Sequence, residues 1–114
     1  MTEPRITAPR VVVVVDQGEQ LVEFTTQTDN RDAVRWDMTR GRKNWPAGHE
    51  APVLWLTFIA WSALSRAGDF EGDFAKFNDV ALSVTAVDRE GAPLGSLDPE
   101  AMTVGPTQPG PVPD

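Results

Sequence analysis

The chain has 114 residues but no cysteine, only one histidine, and 10 Lys and Arg against 17 Asp and Glu. The absence of cysteine excludes disulfides and thiolate-bound metals, and a single histidine cannot build a His-rich metal site. The formal net charge of -7 leaves no basic excess to neutralise phosphates. We therefore expect neither nucleic acid nor an anionic membrane surface as a partner.

Long apolar runs are also missing. The longest extends from Ala51 to Leu64 and is interrupted by Thr57 and Ser62, whereas a membrane-spanning helix needs about 20 consecutive apolar residues. The N-terminus lacks the basic-then-apolar pattern of a secretory signal. We expect a soluble protein in which this run forms a buried helix.

The usual catalytic motifs are absent as well. Ser62 and Ser65 have no G-x-S-x-G context, and the chain contains no phosphate-binding loop and no EF-hand spacing of acidic residues. His49–Glu50 is the only pair that resembles acid–base chemistry, and its position before a proline is typical of a helix cap or a surface residue. We expect no enzymatic activity, no cofactor and no metal.

Alternating residues occupy the first part of the chain. The β-prone runs Arg10–Val15 and Leu21–Thr26 flank a short polar loop that contains Gly18. This pattern predicts a β-hairpin with Gly18 at a positive φ. The proline-containing residues 1–9 that precede it are predicted to be a loose arm.

Helical spacing then replaces the alternation. Either Thr28 or Asp29 can cap a helix over about 30–40, which Gly41 is expected to end. The expected buried stripe of this helix consists of Ala33, Val34, Trp36 and Met38.

A second helix is predicted over about 50–67, started by Pro52 and stopped by Gly68. Its apolar side chains surround the axis almost completely, and a helix that is apolar all round is buried all round. So small a domain has little material to cover every face. We therefore expect another subunit or a partner protein to cover part of this helix, which would allow a homo-oligomer.

Phenylalanines at helical spacing predict a third helix over Asp69–Leu82, and Leu82–Val87 reads as its end or, slightly better, as a short strand. From Asp88 onward periodicity is lost and prolines accumulate, which predicts a flexible tail over 88–114. The predicted fold is α+β: an N-terminal β-hairpin followed by about three helices in a single domain over 10–87. The expected core comprises Val34, Trp36, Leu54, Phe58, Trp61, Leu64, Phe74 and Phe77.

All four Trp lie between Trp36 and Trp61, next to a basic cluster at the end of the first predicted helix. Trp is found in cores and protein interfaces more often than in ligand sites. The basic cluster has two interpretations: charge that favours a helix C-terminus, or a docking site for an acidic partner. Our candidates for partner binding are Arg40, Arg42, Lys43, Trp45 and Trp55.

The segment from Asn30 to Gly68, NRDAVRWDMTRGRKNWPAGHEAPVLWLTFIAWSALSRAG, resembles the small tail assembly chaperones of long-tailed phages that infect actinobacteria. In that family an NRD-containing helix leads to a K-x-W-P corner. An AP-x-L-W-x-TF-x-AW-x-AL-x-R-x-G helix follows. The resemblance covers about a third of the chain and concerns a packing scaffold, without catalytic positions.

The resemblance implies a non-enzymatic protein of the host-cell cytoplasm. Such chaperones bind the tape measure protein, the long helical ruler of the tail, and keep it soluble while the tail tube assembles. They often occur with a frameshifted longer form that shares the N-terminal part, which would be a second partner. The alternative is a structural virion component, such as a head–tail connector or a tail terminator-like ring subunit.

Overall fold

The computed structural model of the chain describes residues 6–88 and 90–94. Its three strands form one antiparallel sheet in the order β2–β1–β3, with three helices between the second and third strands in sequence. This arrangement confirms the predicted α+β fold. The elements are β1 (Arg10–Asp16), β2 (Leu21–Gln27), α1 (Asn30–Lys43), α2 (Pro52–Ala67), α3 (Phe74–Val80) and β3 (Ala81–Val87).

The N-terminal hairpin is confirmed with the expected turn chemistry. β1 pairs with β2 from Arg10 opposite Gln27 to Asp16 opposite Leu21. Gly18 takes a φ of 95°, and its N–H donates to the Asp16 carboxylate over 2.9 Å. Alternate residues of the central strand face the helices, because strand side chains point to opposite sides of a sheet. The inward, buried residues of β1 are Val11, Val13 and Val15.

The 82–87 segment is a strand, so the predicted third helix over 69–82 is wrong in extent. Gly72 has a φ of 133°, which ordinary residues rarely adopt, and α3 starts only after it. The Asp73 side chain caps the helix by accepting the N–H of Lys76 over 2.9 Å. Where β3 meets β1 the register shifts, and Leu82 is left out of the pairing and 57% exposed.

Helix α1 begins as expected but ends three residues later than predicted. Asp29 is the N-cap: its side chain accepts the N–H of Arg31, and Asp32 reaches back to the N–H of Asp29 over 2.9 Å. Gly41 does not end the helix, because a glycine costs only about 1 kcal/mol inside a helix. Asn44 ends it instead, in the left-handed conformation at φ 59°.

The inward face of α1 differs from the predicted one. Val34 and Met38 are 46% and 63% exposed, so neither belongs to the core. The spacing of Asp32, Trp36 and Thr39 places these three on one side of the helix, and all are buried. The prediction is wrong because it assumes that the buried side of a helix is apolar. In α1, two of the buried residues, Asp32 and Thr39, are polar.

Helix α2 lies at the centre of the molecule. It contacts α1 and α3 as well as strands β2 and β3. Residues 57–64 are all buried, whereas Val53 in the first turn is 79% exposed. A sheet and two helices of the same chain therefore cover residues 57–64, and the expectation that another subunit or a partner covers part of α2 stays a prediction for its exposed first turn.

The core lies between the sheet and the helices and extends around α2. Of the predicted core residues, Leu54 and Phe74 are half-buried and contact this core. Trp61 is 7% exposed and donates its ring N–H to the carbonyl of Gly72 over 3.0 Å. The fully or nearly fully buried predicted residues are Trp36, Phe58, Trp61, Leu64 and Phe77.

Both ends of the predicted domain extend further than expected. Ala8 and Pro9 are buried, and the Pro9 carbonyl accepts the Thr28 hydroxyl over 2.7 Å, so these residues are not part of a loose arm. After β3, the carboxylate of Asp88 accepts two backbone N–H groups of a tight turn, and Leu94 donates its N–H to Ala86 over 2.9 Å. The remainder of the predicted arm and tail, residues 1–5, 89 and 95–114, lies outside the described residues.

A buried carboxylate joins the two longest helices. Asp32 is completely buried near the start of α1, and its Oδ1 accepts from the Ser62 hydroxyl over 2.6 Å and from Arg66 Nη1 over 2.5 Å. Arg66 also reaches Asp29 over 3.2 Å. A buried charge is costly unless it is paired and hydrogen-bonded, and this network fixes the start of α1 against the end of α2.

Replacing Arg66 with Met should lower the free energy of unfolding by about 1–3 kcal/mol, because Asp32 stays buried without its cation. The expected loss of unfolding free energy is no larger because Asp32 keeps its hydrogen bonds to Ser62 and to the N–H of Asp29. Denaturant unfolding measures the change, and Arg42→Met, at an exposed Arg of the same fold, is the matched control. Equal effects of the two substitutions would show that the buried pair contributes nothing specific.

The N-cap of α1 makes stability depend on pH. The pKa of Asp29 is lowered from 3.8, chiefly by the hydrogen bond from Arg31 and further by the charge of Arg66, while burial opposes the shift. A lowered pKa in the folded state means that the carboxylate stabilises the fold above its unfolded pKa. That contribution disappears as the pH falls through the folded-state value.

Asp29→Asn keeps a capping oxygen and removes the charge. We expect less than about 1 kcal/mol of destabilisation near neutral pH, because the ion pairs are largely at the surface. The difference between the variant and the original chain should vanish when thermal unfolding is repeated well below about pH 4. A difference that persisted there would mean that geometry, and not charge, accounts for the effect.

Candidate protein-binding groove

One of the residues predicted to bind a partner is buried. Trp55 is 2% exposed and belongs to the core, so it is not available for recognition. Its ring lines a small cleft of about 180 Å³ between the start of α2 and Val84 of β3. The prediction failed because the sequence shows no difference between Trp55 and a Trp that faces a partner.

Arg40 has a structural role in the corner between α1 and α2. Its side-chain Nε donates to the carbonyl of Pro46 over 3.1 Å. Its own carbonyl accepts the N–H groups of Asn44 and Trp45, the latter over 2.9 Å. Arg40 therefore holds the Trp45–Pro46 corner in place.

The other three predicted residues meet at one open cavity of about 580 Å³, which we call the aromatic groove. Helix α1 forms one wall, α3 the opposite wall, and α2 with the Trp45 corner forms the floor. The lining residues are Arg35, Thr39, Arg42, Lys43, Trp45, Leu54, Phe58, Trp61, Asp73, Phe74, Ala75 and Asn78.

Aromatic rings line the groove and pack against one another beneath it. The ring centroid of Trp45 lies 5.8 Å from that of Trp36, 6.1 Å from Phe58 and 5.9 Å from Phe74. Phe74 in turn lies 5.7 Å from Trp61. Such tilted and edge-to-face contacts fix ring orientation, so Trp45 presents a half-buried surface that is already ordered before anything binds.

The α1 wall is positively charged. Arg35, Thr39, Arg42 and Lys43 fall on one side of the helix, because they are spaced at i, i+4, i+7 and i+8. The guanidinium carbon of Arg35 lies 4.3 Å from the ring centroid of Trp61. Among residues 6–88 and 90–94, no carboxylate forms a salt bridge with any of the three cations of this wall.

The α3 wall adds little opposing charge. Within residues 6–88 and 90–94, Asp73 is the one acidic residue that lines the groove. Its Oδ1 already accepts the N–H of Lys76 as the cap of α3. The groove is therefore apolar at its floor and cationic along one edge, although the chain as a whole carries a formal charge of -7.

Few residues in the part of the chain that the structure describes are candidates for catalysis or metal binding. Glu50 accepts the N–H of Ala47 over 3.4 Å in the turn before α2, and neither it nor His49 lines the groove. Within that part of the chain, no group of three or more His, Cys, Asp or Glu could hold a metal ion. The described helices include none with the length and apolar character that a membrane crossing requires.

Sequence reasoning found three groove residues and missed others. Arg42, Lys43 and Trp45, which the sequence predicts to bind a partner, line one groove, and their role in binding stays a prediction. Arg35 was missed although it precedes Arg42 by seven residues, a spacing that places both on one helix face. Phe74 was assigned only to the core, and its position on the groove depends on α3, whose start the sequence did not locate.

No family model, curated protein or solved structure matches this chain. The geometry of the aromatic groove and the residues that carry the phage-chaperone resemblance are therefore the basis for assigning a function.

We expect the fold to tolerate removal of the two cations at the C-terminal end of α1. Arg42→Gln combined with Lys43→Gln should lower the free energy of unfolding by less than about 1 kcal/mol, since both side chains are exposed and stabilise α1 only through the helix dipole. Thermal and denaturant unfolding test this. A larger loss would assign these cations to the stability of the fold and weaken their assignment to binding.

Proposed function

We propose that this protein is a non-enzymatic tail assembly chaperone that binds a phage tape measure protein in the host cytoplasm. The observation that carries the proposal is the aromatic groove. It presents the Trp45 ring, Phe74 and the exposed cations Arg35, Arg42 and Lys43 to solvent. Monomeric proteins keep such surfaces mainly where another molecule binds.

The residues that carry the family resemblance build this groove and the packing beneath it. Lys43, Trp45, Phe58 and Trp61 line the groove directly. Others of the same segment, including Asp32 and Arg66, make the buried network between α1 and α2. A resemblance whose positions converge on one binding surface supports a shared binding role more than a general helix pattern would.

The groove suits the chemistry of a tape measure protein. A long amphipathic helix exposes apolar side chains until the tube covers it, and apolar anchors of a helix bind in hydrophobic grooves. The acidic surface elsewhere keeps the chaperone itself soluble. Several copies along one long helix would add affinity through multivalency, and a longer frameshifted form with the same N-terminal part would present the same groove.

The test is co-expression of the chain with the tape measure protein of the same genome. The tape measure protein should remain soluble and co-purify with the original chain. Trp45→Ala should reduce the recovered complex at least about fivefold, because a central aromatic anchor often contributes 1–2 kcal/mol or more to an interface. Leu21→Ala, at a 63% exposed apolar residue of the hairpin, is the matched control and should have no effect.

Thermal unfolding must accompany this test, because Trp45 also contacts the core. Trp45→Phe keeps an aromatic ring and should retain more complex than Trp45→Ala at similar stability. If the tape measure protein is equally insoluble with and without the chain, the chaperone function is wrong. Recovery of the chain as a ring in mature particles would identify it as a virion component instead.

A further inference from the structure

We infer that the aromatic groove selects helical segments that carry two carboxylates about two helical turns apart, on either side of apolar anchors. The inference deepens the proposed function by naming the chemistry of the bound segment. It depends on the geometry of the α1 wall and can be tested without any phage protein.

The spacing of the cations sets the spacing of the carboxylates. Arg35 and Arg42 are seven residues apart on α1, which corresponds to about 10 Å along the helix axis at 1.5 Å per residue. Lys43 lies beside Arg42 at the same end of the groove. A partner helix lying along α1 would match this distance with acidic residues at i and i+7.

The helix dipole does not account for the position of Arg35 in the α1 wall. Arg42 and Lys43 in the last turn of α1 would stabilise the helix dipole in any case. Arg35 lies two turns earlier, where that effect has faded. Its guanidinium covers the Trp61 ring at 4.3 Å, and a stacked guanidinium still has N–H donors around its edge for a carboxylate.

The floor between the cations accommodates the anchors. Trp45 and Phe74 are half-buried rings of the groove, and the buried ring of Phe58 lies 6.1 Å and 5.2 Å from their ring centroids. Apolar side chains at i+3 and i+4 of the partner point between its two carboxylates, toward these rings. A cavity of about 580 Å³ holds several side chains but not a whole helix, so the partner helix would lie across the opening.

The charge distribution also directs the partner to this surface. The chain carries a formal charge of -7, so its net charge opposes the approach of an acidic segment. Among the residues that the structure describes, three cations and one capping carboxylate line the groove. Complementary charge of this kind favours one docking position and suppresses others.

A labelled helical peptide with Glu at i and i+7 and Leu at i+3 and i+4 is the direct probe. Its affinity is measured by fluorescence anisotropy against an isomer of identical composition whose two Glu lie on the opposite face. We expect the isomer to bind at least about fivefold more weakly, and a peptide with Lys in place of both Glu weaker still.

The protein variants test the same contact from the other side. Arg42→Gln should weaken binding about two- to fivefold, and the double variant Arg35→Gln with Arg42→Gln about five- to thirtyfold. Arg31→Gln is the matched control: it removes one positive charge from α1, at a residue whose guanidinium contacts Asp29 outside the groove. It should leave peptide affinity unchanged.

Equal affinities for the two Glu isomers, or equal losses for Arg42→Gln and Arg31→Gln, would overturn the inference. The proposed function would survive if the tape measure protein were still kept soluble by all these variants. Conversely, spacing-dependent peptide binding without any effect on the tape measure protein would retain the inference and reject the chaperone function.

Discussion

Helix α2 carries apolar side chains on every side of its axis, and a different element covers each side. The sheet lies against one side, and α1 and α3 lie against the others, so that residues 57–64 are shielded from water without a second molecule. This enclosure requires that α1 and α2 keep a fixed relation. The buried Asp32 and Arg66 provide it at one end, and Arg40 fixes the Trp45 corner at the other. The groove lies where residues of α1, α3 and the Trp45 corner meet above α2, and its half-buried rings are those of Trp45 and Phe74.

Features that depend on neighbouring residues could be predicted from the sequence, whereas features that depend on packing between elements could not. Gly18 and Gly68 were placed correctly, because a positive φ or a helix end depends on the residues beside it. The end of α1 was misplaced, since Gly41 and Asn44 can both end a helix and the choice depends on the corner that follows. The inward face of α1 was misassigned for a different reason. Val34 is apolar but exposed, whereas Asp32 is charged but buried, because Ser62 and Arg66 of α2 donate hydrogen bonds to its carboxylate.

The residues of the candidate site divide in the same way, into those that could be predicted from sequence neighbours and those that could not. The basic residues and Trp45 were identified because such residues adjoin one another in sequence at a helix end. Arg35 and Phe74 join them only when α1 and α3 take their places on either side of α2. Trp55 shows the limit in the opposite direction. The sequence makes it a candidate for partner binding, yet its ring is 2% exposed and belongs to the core of the same chain.

The strand order β2–β1–β3 has a consequence for synthesis. The central strand is made first, and its second neighbour, which ends at Val87, is made only after all three helices. Pairing between strands so distant in sequence closes a long loop, and such contacts form slowly. While the chain emerges from the ribosome, one edge of β1 stays open and the inward valines have no complete layer to cover them. The sheet is therefore completed only when nearly the whole domain has been made, and its last step should come late in folding.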